Sequence, residues 1–207
     1  MKIVGLFFLV VILAAVFFFQ SGILNANDAL LIDNLEIAVS GGPQGTVDFG
    51  SGGDSSVEVN TDSSIKNQGD QSVKVVYMAV DGGHMWIARG TGLDASNAGW
   101  TTEVKDIDWD KYNAISVYVY GENSGSSIAF DLKDAGSEMW RYIITDDFDG
   151  WKQVVFPFDQ FYARSDWQPA SADNNSQMDF PVQSYQFEPL APGKGTFYFD
   201  QVEVIKE

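Results

Sequence analysis

Beyond Ala26 the chain has no run of apolar residues at helical spacing long enough to make a core-facing helix. It carries instead short runs of β-branched and aromatic residues, each bounded by Gly, Asp, Asn or Ser. They are Leu30–Glu36, Ser56–Asn60, Ser72–Val80, Met85–Arg89, Thr101–Lys105, Ala114–Tyr120, Ser127–Leu132, Met139–Thr145, Trp151–Phe156, Ser184–Phe187 and Thr196–Ile205. Several alternate cleanly: Val73, Val75 and Tyr77 oppose Lys74, Val76 and Met78, and Ile115, Val117 and Val119 oppose Ser116, Tyr118 and Tyr120. Alternation of this kind marks a sheet with one face in a core. Eleven such runs without crossover helices predict an all-β fold, an antiparallel two-sheet jelly-roll sandwich.

The connections read differently. Ser40–Ser64 is Gly/Ser-rich and acidic, a surface loop with room for one or two short strands, and Ala170–Asp179 is a second polar loop. Asp146–Gly150 reads as a hairpin turn. Trp140 and Trp151 sit in apolar strand patterns and are expected in the core; Trp86 and Trp100 flank Gly-rich loops, which leaves rim and packed positions both open.

Residues 1–27 differ from the rest. Lys2 precedes Ile3–Phe19, seventeen residues without a charge or a strongly polar group. One reading is a signal peptide cleaved after Ala26. The other is one retained N-terminal hydrophobic helix, reaching about 25 Å through the apolar run and placing Ile3, Phe7, Val11, Ala15 and Phe19 in the membrane. Either way, a lone Lys before the run and an acidic domain after it put residues 28–207 outside the cytoplasm, in the periplasm or at the cell surface.

Net charge is −17, and Lys2 is the only charged side chain before Asp28, so residues 28–207 carry −18. Such a surface repels phosphate backbones and excludes nucleic acid as a natural partner. There is no cysteine, hence no disulfide, thiolate nucleophile or Cys-ligated metal. His84 is the only histidine and no G-x-S-x-G is present, so neither a zinc centre nor a serine triad can be assembled by motif. The chain is expected to bind rather than catalyse.

The stretch from Glu138 to Pro169 carries the binding chemistry. Its loop brings Arg164, Asp166 and Trp167 together, and a ring beside charged hydrogen-bonding groups is what grips a sugar: the aromatic face stacks on the pyranose and the charges bind hydroxyls. Trp86 is a further candidate rim aromatic.

Ile32-Asp33-Asn34-Leu35-Glu36, Gly69 with Ser72-Val73-Lys74-Val75, Asp108-Trp109-Asp110-Lys111-Tyr112, Trp140-Arg141-Tyr142, Trp151-Lys152 with Phe156-Pro157-Phe158, Arg164-Ser165-Asp166-Trp167-Gln168-Pro169 and Phe199-Asp200-Gln201-Val202 follow one another in an order that resembles the family 11 carbohydrate-binding modules. They resemble more distantly the CIA30-like domains. The resemblance covers residues 30–205. It implies a non-catalytic jelly roll whose concave face binds β-1,4 or mixed-linked β-glucan, with Arg164 and Asp166 as sugar-contacting charges and Trp167 as the aromatic platform. It also implies structural Ca²⁺, for which Asp33, Glu36 and Asp200 are the candidate ligands, since first and last strands pair in such sandwiches.

The chain departs from the family pattern as well. Met85 beside Trp86, and Pro189 after Phe187-Glu188, stand where glucan binders show aromatics. Gly136 and Met139 replace a polar pair, and Gln183 replaces an acid. Two functions therefore follow: a tethered module for β-glucan-type polysaccharide, or an accessory subunit of a membrane complex whose former sugar face, now lined by Met and Pro, contacts protein.

Overall fold

The computed structural model describes residues 29–207. The candidate membrane residues Ile3, Phe7, Val11, Ala15 and Phe19, and the cleavage point after Ala26, lie outside the described residues. Among the described residues no helix is long and apolar enough to cross a membrane.

Twelve strands are present: β1 (Ala29–Asp33), β2 (Asp48–Gly52), β3 (Ser56–Asp62), β4 (Ser72–Ala79), β5 (His84–Gly90), β6 (Ala114–Glu122), β7 (Ser127–Lys133), β8 (Met139–Thr145), β9 (Asp149–Pro157), β10 (Tyr162–Ala163), β11 (Ser184–Pro189) and β12 (Gly193–Ile205). They form two six-stranded sheets. The first runs β3-β4-β12-β6-β9 with β1 also on β12, and the second runs β10-β8-β7-β11-β5-β2. Every pairing is antiparallel, giving the expected all-β two-sheet sandwich.

The alternation read from sequence is the alternation of burial. Val73, Val75, Ile115 and Val117 are fully buried, while Val76 and Met78 on the opposite face are 37% and 45% exposed. Between the sheets the aromatic rings interdigitate: Phe130 stacks on Phe156 with centroids 4.4 Å apart, and Phe187 meets Phe199 at 4.7 Å. Each such ring contributes about 1.5–3 kcal/mol by leaving water, and these contacts hold the two layers in register.

Three expectations need correction. Thr101–Lys105 is not a strand: Thr102 bonds to Leu31 and Ile32 carbonyls, and Val104–Asp106 then turns as a 3₁₀ segment. Asp146–Gly150 is not a hairpin, because β8 belongs to the second sheet and β9 to the first. Asp146 is instead buried and accepts bonds from the Asn123 and Ser124 backbone and from the Ser124 hydroxyl at 2.6 Å, tying the crossover to a neighbouring turn. Trp151 is not in the core: it pairs with Tyr120 on the outer face of the first sheet, half-buried. Trp100, left open by sequence, is buried and stacks on Tyr185. The glycine-rich β2 and the strand β3 are the two short strands for which Ser40–Ser64 left room; β10, two residues long, escapes the sequence pattern.

Candidate functional site

In β7, Ile128, Phe130 and Leu132 face the core, so Ala129 and Asp131 face outward. Register carries that outward face across the whole second sheet. Tyr162 of β10 lies opposite Arg141, Arg141 opposite Asp131, Asp131 opposite Gln186, Gln186 opposite Ala88, and Ala88 opposite Asp48 of β2. Over the Asp48–Ala88–Gln186 part of this row lies a cleft of about 690 Å³, walled by Trp86 and His84 towards β2 and by Arg164, Asp166 and Trp167 towards β10. The four residues singled out as ligand-binding, Trp86, Arg164, Asp166 and Trp167, thus line one cleft. A smaller hollow of about 380 Å³, at the sandwich end near Tyr112 and Phe158, is separate.

At the β10 end, Arg164, Asp166 and Glu188 of the cleft lining belong to a network of two arginines and three acids. Arg141 donates to both oxygens of Asp131 at 2.8 Å, and also to Glu188. Arg164 donates to Asp131 at 2.9 Å and to the two oxygens of Asp166 at 3.1 and 2.7 Å, and its Nη1 is 3.2 Å from Glu188. The side chains of Asp131, Arg141 and Arg164 are only 0%, 8% and 6% exposed, whereas that of Asp166 is 59% exposed. Asp131, Arg141 and Glu188 were not singled out in sequence. They come from β7, β8 and β11, and only strand pairing brings them together.

Burial opposes the charges of Arg141 and Arg164, but their bonded carboxylates outweigh it and hold both above the ordinary arginine value. The Arg164 hydrogen bond keeps Asp166 ionised, below the usual carboxylate range. Burial pushes Glu188 up in spite of the two arginines. Arg164 is therefore a fixed strut rather than a free hand. It positions Asp166, whose exposed carboxylate is available to hydroxyls, and its guanidinium lies 5.6 Å from the ring of Trp167, which is 53% exposed.

At the other wall, glycine does the positioning. Trp86 pairs with Gly50 and His84 with Gly52. A Cβ at Gly50 would lie 2.6 Å from the Trp86 ring, and one at Gly52 would lie 2.7 Å from His84, so both rings lie down on bare backbone. The Trp86 Nε1 donates to Asp48 at 2.9 Å, fixing the ring's rotation. The two planes differ by 11° with centroids 6.2 Å apart. That separation matches residues two apart on one strand, ~6.7 Å, so the rings lie side by side as one platform. His84 was set aside in sequence because a lone histidine in a turn makes no metal site. The Gly-x-Gly of Gly50-Ser51-Gly52 is the signal that would have pointed to it.

The departures from the family pattern are only partly at the cleft. Met85 alternates into the core, and Pro189 pairs with the core residue Ile128. Gly136 and Gln183 stand in loops beyond the strand ends, and of the five departures Met85 and Met139 border the cleft. The lining combines rings and hydrogen-bonding groups with Met85, Met139 and Pro169.

The candidate metal ligands are not brought together. β1 does pair with β12, but a bulge between Leu31 and Asp33 sets both Ile32 and Asp33 on the core side. There Asp33 is held by Arg89 at 2.6 and 3.0 Å and accepts the Tyr185 hydroxyl at 2.9 Å, so it has no oxygen free for calcium. On β12 the bulge at Gln201 leaves Asp200 on the sheet's outer face but buried beneath the loop of residues 67–70, where Oδ2 accepts the Asn67 and Gln68 N–H groups. Glu36 accepts the Asp70 N–H of the same loop at 3.0 Å. Among the described residues no group of three or more His, Cys, Asp or Glu is placed to hold a metal. What suits a cation is narrower: Asp200 Oδ1 is buried without a partner, and burial plus the charge of Glu36 push the Asp200 carboxyl upward.

Comparison with known proteins accords with this geometry. Endoglucanase H of Acetivibrio thermocellus is 29% identical over 131 residues, 56% of this chain and 14% of that enzyme. The chain thus spans a small part of the curated relative it matches. A family 11 carbohydrate-binding module from Clostridium thermocellum, solved with a β-1,3-1,4-mixed-linked tetrasaccharide, superposes with a TM-score of 0.68 at 23% identity, covering 88% of this chain and 98% of the module. The family 11 module of a cellulosomal cellulase from the same organism gives 0.65 at 21% identity over 86% and 95%. These two share the fold. The sequence pattern of the carbohydrate binding domain (family 11) itself matches residues 24–207, and the chain belongs to that family.

Proposed function

We propose that this protein binds a β-glucan-type polysaccharide in the cleft across the second sheet and performs no chemistry on it. The observation that carries the reading is the pairing of two ring walls, Trp86 with His84 and Trp167, with a network of fixed charges at the β10 end. Rings stack on the apolar faces of successive sugars, while Asp166, Gln186 and Asp48 offer groups for their hydroxyls. That a family 11 relative was solved with a mixed-linked glucan supports the choice of ligand class. The accessory-subunit reading drew in part on Met and Pro at the former sugar face; of these, Met85 packs its side chain into the core at the cleft's border and Pro189 pairs with the core residue Ile128.

Ca²⁺ is proposed as a structural ion at Glu36 and Asp200, where it would satisfy the buried Asp200 Oδ1 and clamp the loop of residues 67–70 to β12. The apolar run Ile3–Leu24 is proposed as a tether that displays the domain outside the cytoplasmic membrane.

Calorimetric titration with mixed-linked β-glucan oligosaccharides tests the central claim. Micromolar-range binding that Trp167→Ala abolishes is the expected result. A folded, calcium-loaded protein that gives no heat with any glucan would return the accessory-subunit reading to first place.

A further inference from the structure

The aromatic lining does not stop at the cleft wall. Among the described residues seven large hydrophobic side chains are exposed, and three of them, Ile143, Tyr162 and Trp167, gather along the β8–β10 edge of the second sheet. Tyr162, 49% exposed, lies opposite Arg141 on the cleft face. Ile143, 43% exposed, is the next outward residue of β8 and so is diagonal to Tyr162, about 7–8 Å away and within reach of its ring. The exposed carboxylate of Asp166 is 3.8 Å from the Arg141 guanidinium that Tyr162 flanks. An exposed ring and an apolar floor thus stand beyond the cleft wall, beside Asp166, the acceptor that wall supplies.

We infer that Tyr162 and Ile143 form an additional sugar subsite, continuous with the cleft, that engages the end of a long glucan chain. The inference rests on the reading of the cleft as a glucan site. From β5, which carries Trp86, to β10, which carries Tyr162, the sheet spans four interstrand steps, about 19 Å. A chain lying across the strands from the Trp86 platform therefore arrives at Tyr162 only when it is several sugars long. Its last ring stacks on Tyr162 and rests on Ile143, with Asp166 accepting from a hydroxyl. The subsite makes the domain a sensor of chain length, favouring polymer over short fragments.

The test is a length series of mixed-linked β-glucan oligosaccharides, from disaccharide to hexasaccharide, titrated into the full chain and into Tyr162→Ala and Tyr162→Phe. Tyr162 is exposed, so the variants are expected to keep the wild-type melting temperature. The expected outcome is that Tyr162→Ala binds the hexasaccharide roughly five- to tenfold more weakly, binds the shorter sugars as wild type does, and that Tyr162→Phe recovers most of the loss. Wild-type affinity of Tyr162→Ala for every length, alongside tight binding by wild type, overturns the subsite and leaves the cleft reading intact. Absence of binding by wild type at every length overturns both.

Discussion

Arg164→Met separates a strut from a ligand-contacting hand. The substitution keeps much of the side chain's apolar stem but removes the guanidinium. Three attachments are lost: the bond to Asp131 at 2.9 Å, the 3.2 Å contact with Glu188 and the two bonds to Asp166. Removing one partner of a buried ion pair costs about 3–5 kcal/mol when the other is left alone. Here Asp131 keeps both bonds from Arg141, and Asp166 is mostly solvated, which lowers the figure. Against that, the network drops from two positive and three negative groups to one and three, with Asp131 and Glu188 still buried. The balance is a loss of roughly 2–4 kcal/mol, or about 5–15 °C in Tm for a domain of this size. Calorimetric unfolding at neutral pH reads it, with Asp166→Asn as the control expected within about 1 kcal/mol of wild type. Glucan affinity should fall in both variants. If Arg164→Met lost sugar binding yet melted within a degree or two of wild type, the guanidinium would be a solvated ligand contact and the strut argument would be wrong.

Gly50→Ala should weaken glucan binding about tenfold with little change in Tm, because a Cβ 2.6 Å from the Trp86 ring lifts the platform without opening the core; titration and thermal melts together check it. Chelation should lower the melting temperature by several degrees, and added Ca²⁺ should restore it; no shift in Tm on chelation removes the ion from Glu36 and Asp200. Burial raises the folded-state pKa of Glu188, Asp200 and Glu203, so these groups destabilise the fold above that value and cease to do so as they protonate. Asp166 and Asp62 are shifted the other way, and their contribution is lost as pH falls through their lowered values. Melting temperature in chelator should therefore rise as pH drops from 7 towards the ordinary carboxylate range near about 4, then fall below it. If residues 3–24 tether the domain, alkaline carbonate should leave the native protein in the membrane pellet, and full release would count against the tether.

Alternation alone determined a good deal. Runs such as Ser72–Val80 and Ala114–Tyr120 announce half-buried strands because side-chain parity is a local property of extended backbone. The Arg164-Asp166-Trp167 constellation is equally local, lying within one loop, and the ordered motifs from Ile32 to Val202 carry the family. Parity does not say which of a strand's two faces meets the core, and each bulge reverses it. One extra residue in β1 turned Asp33 from a candidate calcium ligand into the buried partner of Arg89. One extra residue in β12 left Asp200 on the outer face. Tertiary pairing likewise decided that the Met85 side chain packs into the core, that Pro189 pairs with core Ile128, that Arg164 is clamped by Asp131 from a strand 33 residues earlier, and that two glycines of β2 lie beneath Trp86 and His84. Charges and rings are written in the chain; whether they face a ligand or each other is set by which strands become neighbours, because only that choice determines what is removed from water.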